Sequence, residues 1–382
     1  MSHPPDAFPR RLLAEPPAAR LAYFTSRVIV HPQLKAVYDT VVAALQQPVG
    51  APLILVVGPT GVGKTTLRRR LEEQLVRAFL AQSVCPPEQI PVASVEALAP
   101  ENGSFSWKEF YIRLLAALHE PLIEAKWDGT LPERRQRRAK PGSQLPRQGV
   151  ADLRSAVESC LSHRQPQALL VDEAQHLKKV SSGRRLLDQM DTLKSLASTT
   201  NTVHVLLGTY ELVGLTQLSG QLSRRSREIH FGRYRYEDPV ERQMFTRVLY
   251  TFQRQLPLAE EPDLVGAVEE LYERSVGCVG VLKGWLTQAL AAALAEEAPT
   301  VTRQMLDRWG LPLANVLRMA REIAEGEALV RDSSGDHQEL RSLLGMEQAA
   351  APAARAAAPS RPGRVGQRKP VRDPVGVEVA HE

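Results

Sequence analysis

Gly58-Pro59-Thr60-Gly61-Val62-Gly63-Lys64-Thr65 has the form G-x-x-x-x-G-K-[ST], a loop whose successive backbone N–H groups can cradle phosphate oxygens. The five residues before it, Leu53-Ile54-Leu55-Val56-Val57, are apolar and rich in β-branched side chains, the pattern of a short buried strand. The residues after it, Thr66 to Leu75, carry leucines at helical spacing. Strand, loop and helix in that order are the setting this loop needs. The glycines let the backbone curl, and the helix start adds its partial positive charge. Gly58, Pro59, Thr60, Gly61, Val62, Gly63 and Thr66 are therefore expected around the phosphates of a nucleotide. Lys64 is expected on the β- and γ-phosphates, and the Thr65 hydroxyl on Mg²⁺.

A second apolar strand, Ala168-Leu169-Leu170-Val171, ends in Asp172-Glu173. A carboxylate at a strand's C-terminal end beside such a loop can hold magnesium through its water shell, which is the role expected of Asp172. Glu173 is then placed to orient and polarise an attacking water.

The chain has 382 residues, enough for two domains and tails, and its 43 % hydrophobic and 24 % charged residues fit an ordinary globular protein. A net charge of +5 permits nucleic-acid binding without establishing it. Cys85, Cys160 and Cys278 lack metal-ligand spacing and read as packed thiols of a reducing compartment. No apolar run approaches the roughly 20 residues that span a bilayer, and the Pro/Ala-rich start has no signal-peptide core. A cytoplasmic protein without a membrane partner is the expectation.

Further strands are expected at 91–95, 202–209 and 228–231, alternating with helices that include 107–118 and the pattern Leu34, Val37, Val41, Leu45. That alternation implies a five-stranded parallel sheet covered on both faces, an α/β fold. Beyond Tyr236 only helical periodicity remains, over 239–255, 263–275, 279–294 and 302–317. The expected organisation is a flexible arm at 1–24, an α/β domain at 25–236, a small all-helical domain at 237–330 and a disordered Ala/Pro/Arg-rich tail at 331–382.

A phosphate-loop domain followed by a short helical lid is the plan of the AAA+ ATPases, which this chain resembles over roughly residues 25 to 325. Within them, Asp172-Glu173-Ala174-Gln175-His176-Leu177, Leu207-Gly208-Thr209-Tyr210-Glu211-Leu212 and Gln221-Leu222-Ser223-Arg224-Arg225 resemble the transposition regulators TnsC, TniB and MuB. The secretion ATPase ExeA has a similar second motif. The resemblance implies ATP and Mg²⁺ as ligands and a slow hydrolysis of ATP to ADP. It makes Thr209 a sensor of the γ-phosphate and puts an arginine finger at Arg225 or Arg224, with Arg227 nearby. Lys283 falls where the lid usually offers a second nucleotide sensor; a solvated helix lysine is the other reading.

Arg134, Arg135, Arg137, Arg138 and Lys140 form one basic segment, and Lys178, Lys179, Arg184 and Arg185 another. In a ring or helical homo-oligomer such loops could track the phosphates of double-stranded DNA; solubilising surface loops are the bland alternative. The function expected from the resemblance is an ATP-dependent regulator of DNA transposition that oligomerises on target DNA and recruits a transposase. Its further partner would be a target-selector protein or an RNA-guided complex. The alternatives are a helicase loader or origin-initiator-type ATPase, and an ExeA-type secretion ATPase.

Overall fold

The computed structural model describes residues 7–47, 52–82, 86–100, 103–123, 148–178, 192–193, 195–216, 225–331 and 334–346. Strands β1 (Leu53–Val57), β2 (Val92–Glu96), β3 (Ala168–Asp172), β4 (Val203–Gly208) and β5 (Ser226–His230) form one sheet in the order β2-β3-β4-β1-β5. Every pairing is parallel. The three inner strands are buried along their whole length, while the edges β2 and β5 are only partly covered. Near-continuous apolar runs belong in the middle of a doubly covered sheet, so the composition of each strand agrees with its place.

Successive strand residues face opposite ways, and the two cores divide by that parity. On one face Ile54, Val56, Val205 and Leu207 meet α2 (Pro32–Gln46) and α3 (Lys64–Leu80) through Val41, Leu45, Leu67 and Leu71. On the other, Leu55, Leu169, Val171 and Leu206 meet α4 (Trp107–Ala117) and α5 (Gln148–Arg164) through Phe110, Leu114, Leu153 and Leu161. The strand order brings the C-terminal ends of β1, β3 and β4 side by side, since Val57 pairs with Gly208 and Val171 with Leu206. The phosphate loop, Asp172-Glu173 and Thr209 follow directly from those three ends.

His204 in β4 is fully buried with neither ring nitrogen hydrogen-bonded, and burial pushes its pKa down to about 3. His31, at the start of α2, is pushed down by burial to about 4. The unfolded chain therefore binds protons that the folded one refuses. Stability is fully present above the ordinary histidine value and falls as pH drops below it. One such group gives a slope of about 1.4 kcal/mol per pH unit. Urea unfolding between pH 7.5 and 5 should show this decline, and His204→Leu should flatten it by close to one proton. Equal slopes in the two proteins would contradict the assignment.

Helix α6 (Val213–Thr216) precedes β5, and after β5 come α7 (Pro239–Gln255), α8 (Val268–Ser275), α9 (Val279–Ala295), α10 (Arg303–Trp309) and α11 (Leu313–Val330). α7 to α10 share a core built on Phe245, Phe252, Leu271, Leu282, Leu286 and Leu306. α9 is apolar nearly all round because it is the middle of that core, and Trp285 Nε1 donates to the Leu306 carbonyl at 2.8 Å. Among the described residues no single helix is long and apolar enough to cross a membrane.

Three expectations need correction. The helix expected over 302–317 is two, because Gly310-Leu311-Pro312 interrupts it: proline lacks an N–H and biases the residue before it away from helix. The expected flexible arm is packed from residue 8 onward. Phe8 N–H donates to the Arg254 carbonyl at 3.0 Å, and α1 (Pro17–Ser26) buries Phe24 in the helical core. Pro17 sits in the first turn of α1, where its fixed φ and missing N–H favour the helix, so composition alone misread a helix start as disorder. Residues 332–382 form a separate unit, and within it α12 (Ser334–Leu343) stands where only a disordered tail was expected. Residues 347–382, with the tail arginines, lie outside the described residues.

Candidate active site

The loop after β1 turns through Gly61 (φ 79°) and Gly63 (φ 115°), conformations that side-chain-bearing residues rarely adopt. Gly63 precedes the first turn of α3, so the orphan N–H groups of that turn face the loop. Lys64 is 7 % exposed, and its ammonium donates to the carbonyls of Gly58 (2.9 Å) and Pro59 (2.8 Å). Burial lowers its pKa from the ordinary lysine value, and the carboxylates of Glu173 and Asp172 oppose that shift. The helical region is seated on the same loop. Gly280 N–H donates to the Gly61 carbonyl at 2.7 Å, and a Cβ on Gly280 would stand 2.5 Å from that oxygen.

Asp172 closes β3 and is buried. Its Oδ1 accepts the Glu173 N–H at 3.0 Å, and its Oδ2 accepts Arg68 Nε at 3.2 Å. Arg68 also donates to Glu72 and to the Ser94 hydroxyl on β2. The sequence reading missed Arg68. The signal was its place four residues after Lys64, on the same face of α3. Removing Arg68 would leave Asp172 as a buried charge without its ion-pair partner.

Thr209 follows β4, and its hydroxyl is buried without a hydrogen-bond partner. An unpartnered buried hydroxyl beside a phosphate loop fits a ligand oxygen. Thr65, exposed in the first turn of α3, and Asp172 supply the hard oxygen donors that Mg²⁺ takes when phosphates complete its shell. Among the described residues no cluster of three His, Cys, Asp or Glu could hold a metal by itself. A magnesium shared with phosphates does not need one. Beside Pro59, Thr60 and Thr209 lies a cavity of about 570 Å³, roofed by Met319 and Ile323 of α11.

The other expected residues are placed differently. Lys283 does not point to the phosphate loop. Its ammonium donates to the carbonyls of Thr25 (2.7 Å) and Arg27 (2.6 Å), satisfying the C-terminal end of α1. The nucleotide role considered for Lys283 is replaced by this cap. Lys178 donates to the Glu211 carbonyl at 3.3 Å and lines the cavity beside the loop. Arg225 is exposed and directly precedes Ser226, which pairs with Leu53 at the start of β1. It therefore sits about 16 Å, one strand length, from the loop of its own chain. Arg224, Arg134, Arg135, Arg137, Arg138, Lys140, Lys179, Arg184 and Arg185 lie outside the described residues.

Residues 47–215, which carry the loop, both carboxylates and Thr209, match the AAA domain family. A search of curated proteins returned no match. Among solved structures the chain is similar to the ADP form of the Aeropyrum pernix ORC2 protein, at 12 % identity and TM-score 0.48, over 88 % of this chain and 89 % of that one. It is also similar to Drosophila ORC bound to DNA, at 14 % identity and TM-score 0.46, over 88 % and 85 %. Domain III of the Thermotoga maritima replication initiation protein DnaA gives 12 % identity and TM-score 0.40, over 78 % and 94 %. The fold is that of an AAA+ P-loop NTPase, a five-stranded parallel sheet with a helical C-terminal region.

Proposed function

We propose that this protein is an ATPase that works as a nucleotide-controlled switch on duplex DNA. The observation that carries the reading is the meeting of Lys64, Asp172, Glu173 and the unpartnered Thr209 hydroxyl at one end of the sheet. In the reaction a water oxygen bonds to the γ-phosphorus as the bond to the β,γ-bridging oxygen breaks, and Glu173 orients that water and draws off its proton. Bound magnesium would neutralise charge between the β- and γ-phosphates, held by Thr65 and, through water, by Asp172. Lys64, which here donates to the Gly58 and Pro59 carbonyls, would turn to the same phosphate oxygens.

Arg225 is too far from its own chain's loop to serve it but is free to reach a second copy's nucleotide. An arginine supplied in this way makes assembly and hydrolysis interdependent. ATP between subunits would hold an oligomer together, and its cleavage would loosen it. The basic segments at 134–140 and 178–185 would give that oligomer a sequence-tolerant hold on DNA phosphates. Within this class, the resemblance of residues 172–177 and 207–212 to the transposition ATPases favours a target-selection regulator that recruits a transposase.

Electron microscopy and sedimentation with duplex DNA test the reading. Rings or filaments enclosing DNA should form with a slowly hydrolysed ATP analogue and not with ADP. Monomers under every condition would remove the switch. A footprint confined to one DNA sequence would move the reading to an origin-initiator-type ATPase.

A further inference from the structure

Gln175 joins two parts of the site and has no role in the reading above. It is 6 % exposed and lies in a 3₁₀ turn, Ala174–Lys178, just past the carboxylates. Its side-chain Nε2 donates to Glu173 Oε2 at 2.5 Å, and its Oε1 accepts the Thr209 backbone N–H at 3.2 Å. A carboxylate only accepts and a backbone N–H only donates, so the two partners together fix which way the amide faces. The bridge is tightly housed: a Cβ on Gly208 would stand 2.6 Å from Gln175 Oε1. Glu173 itself holds a left-handed backbone, φ 51°, which bends the chain where its side chain meets Gln175.

We propose that Gln175 is a positioning residue for ATP hydrolysis, an amide bridge that fixes the Glu173 carboxylate and ties it to the strand end carrying Thr209. The proposal rests on the ATPase reading. With Oε2 held by the amide, Oε1 is the oxygen left to meet the attacking water. The carboxylate then keeps one orientation instead of sampling several, which is the part of catalysis that depends on placement rather than on basicity. The second bond gives the bridge a direction of influence. When the Thr209 hydroxyl engages a γ-phosphate, the Thr209 N–H is held in place, and through Gln175 so is Glu173. A capped turn that served only stability would need the bond to Thr209 and not the bond to the carboxylate.

Gln175→Glu separates these roles. It keeps the length and the acceptor for Thr209 N–H, and replaces the donor with a carboxylate facing Glu173. Steady-state turnover of Mg-ATP with duplex DNA should fall by about tenfold or more with KM nearly unchanged. In a Glu173→Gln background the same substitution should cost little more, since the bridged carboxylate is already gone. Should Gln175→Glu fail to fold, Gln175→Met, of similar length and without either hydrogen bond, is read for the same loss and the same non-additivity. An unchanged kcat, a loss that falls on KM instead of kcat, or a full further loss in the Glu173→Gln background, overturns the proposal. A wild-type protein that binds Mg-ATP but never turns it over overturns the ATPase reading, and the proposal with it.

Discussion

Glu173→Gln should bind ATP as tightly as the wild type, lose about 10²–10⁴-fold in turnover, and leave longer-lived assemblies on DNA. Lys64→Ala should neither bind ATP nor assemble. The two differ because each removes one layer of the site. Glutamine fills the space of Glu173 and can still bond Gln175, but it cannot take a proton from water. Lys64 is the cation proposed to meet the phosphates, and it is buried at a cost that shows in its lowered pKa. Losing it removes a buried charge but also the donor to the Gly58 and Pro59 carbonyls, so the stability of each protein without nucleotide is the baseline. Thermal unfolding reads the difference. Saturating Mg-ATP at about 100 times its Kd should stabilise the wild type and Glu173→Gln by about 2.7 kcal/mol and Lys64→Ala not at all. Equal stabilisation of all three would mean that the nucleotide binds elsewhere, and equal loss of assembly in both variants would contradict the switch.

The sequence carried the inner sheet plainly, and the reason is local. β1, β3 and β4 are short, mostly apolar runs buried along their full length, and each runs directly into the loop or residue that carries the chemistry. Lys64, Asp172, Glu173 and Thr209 were legible because they lie within a few residues of those strand ends. Arg68 and Gln175 were not singled out. An arginine on a helix and a glutamine in a turn read as surface until the fold sets α3 against β3 and brings the turn against β4. Lys283 was misplaced for the same reason: its partners, the carbonyls of Thr25 and Arg27, are more than two hundred and fifty positions away in the chain. Composition failed where it was used to infer disorder. The prolines near α1 start a helix, which is held by Phe24 against Phe252 of α7 and by the Lys283 bonds to its C-terminal carbonyls.

Gly326→Val should release the second half of α11 from the turn that follows Thr209. Gly326 lies inside a helix, where glycine costs about 1 kcal/mol relative to alanine, so a packing reason is expected and is found. A Cβ there would stand 2.1 Å from Tyr210 Cδ2 and 2.3 Å from its Cγ. The ring has little room to withdraw. Tyr210 is 7 % exposed, and its hydroxyl lies 2.8 Å from His230 Nε2. Burial raises the phenol pKa and lowers that of His230, so the phenol donates and the neutral imidazole accepts. The next residue, Glu327, is buried in an ion pair with Arg233 at 3.1 Å. Helix and turn are thus latched by a missing side chain and a buried charge pair. Valine should cost about 1–3 kcal/mol through overpacking and more if Glu327 loses Arg233. Hydrogen exchange should speed up over 313–330 while β1 and α9 stay protected. Gly284→Ala is the control, since an added Cβ there meets nothing within 4 Å. It should stabilise the protein by up to about 1 kcal/mol, whereas Gly326→Ala should destabilise it. A Gly326→Ala protein as stable as Gly284→Ala would show that α11 does not bear on Tyr210, and so has no hold on the turn that follows Thr209, the proposed γ-phosphate sensor.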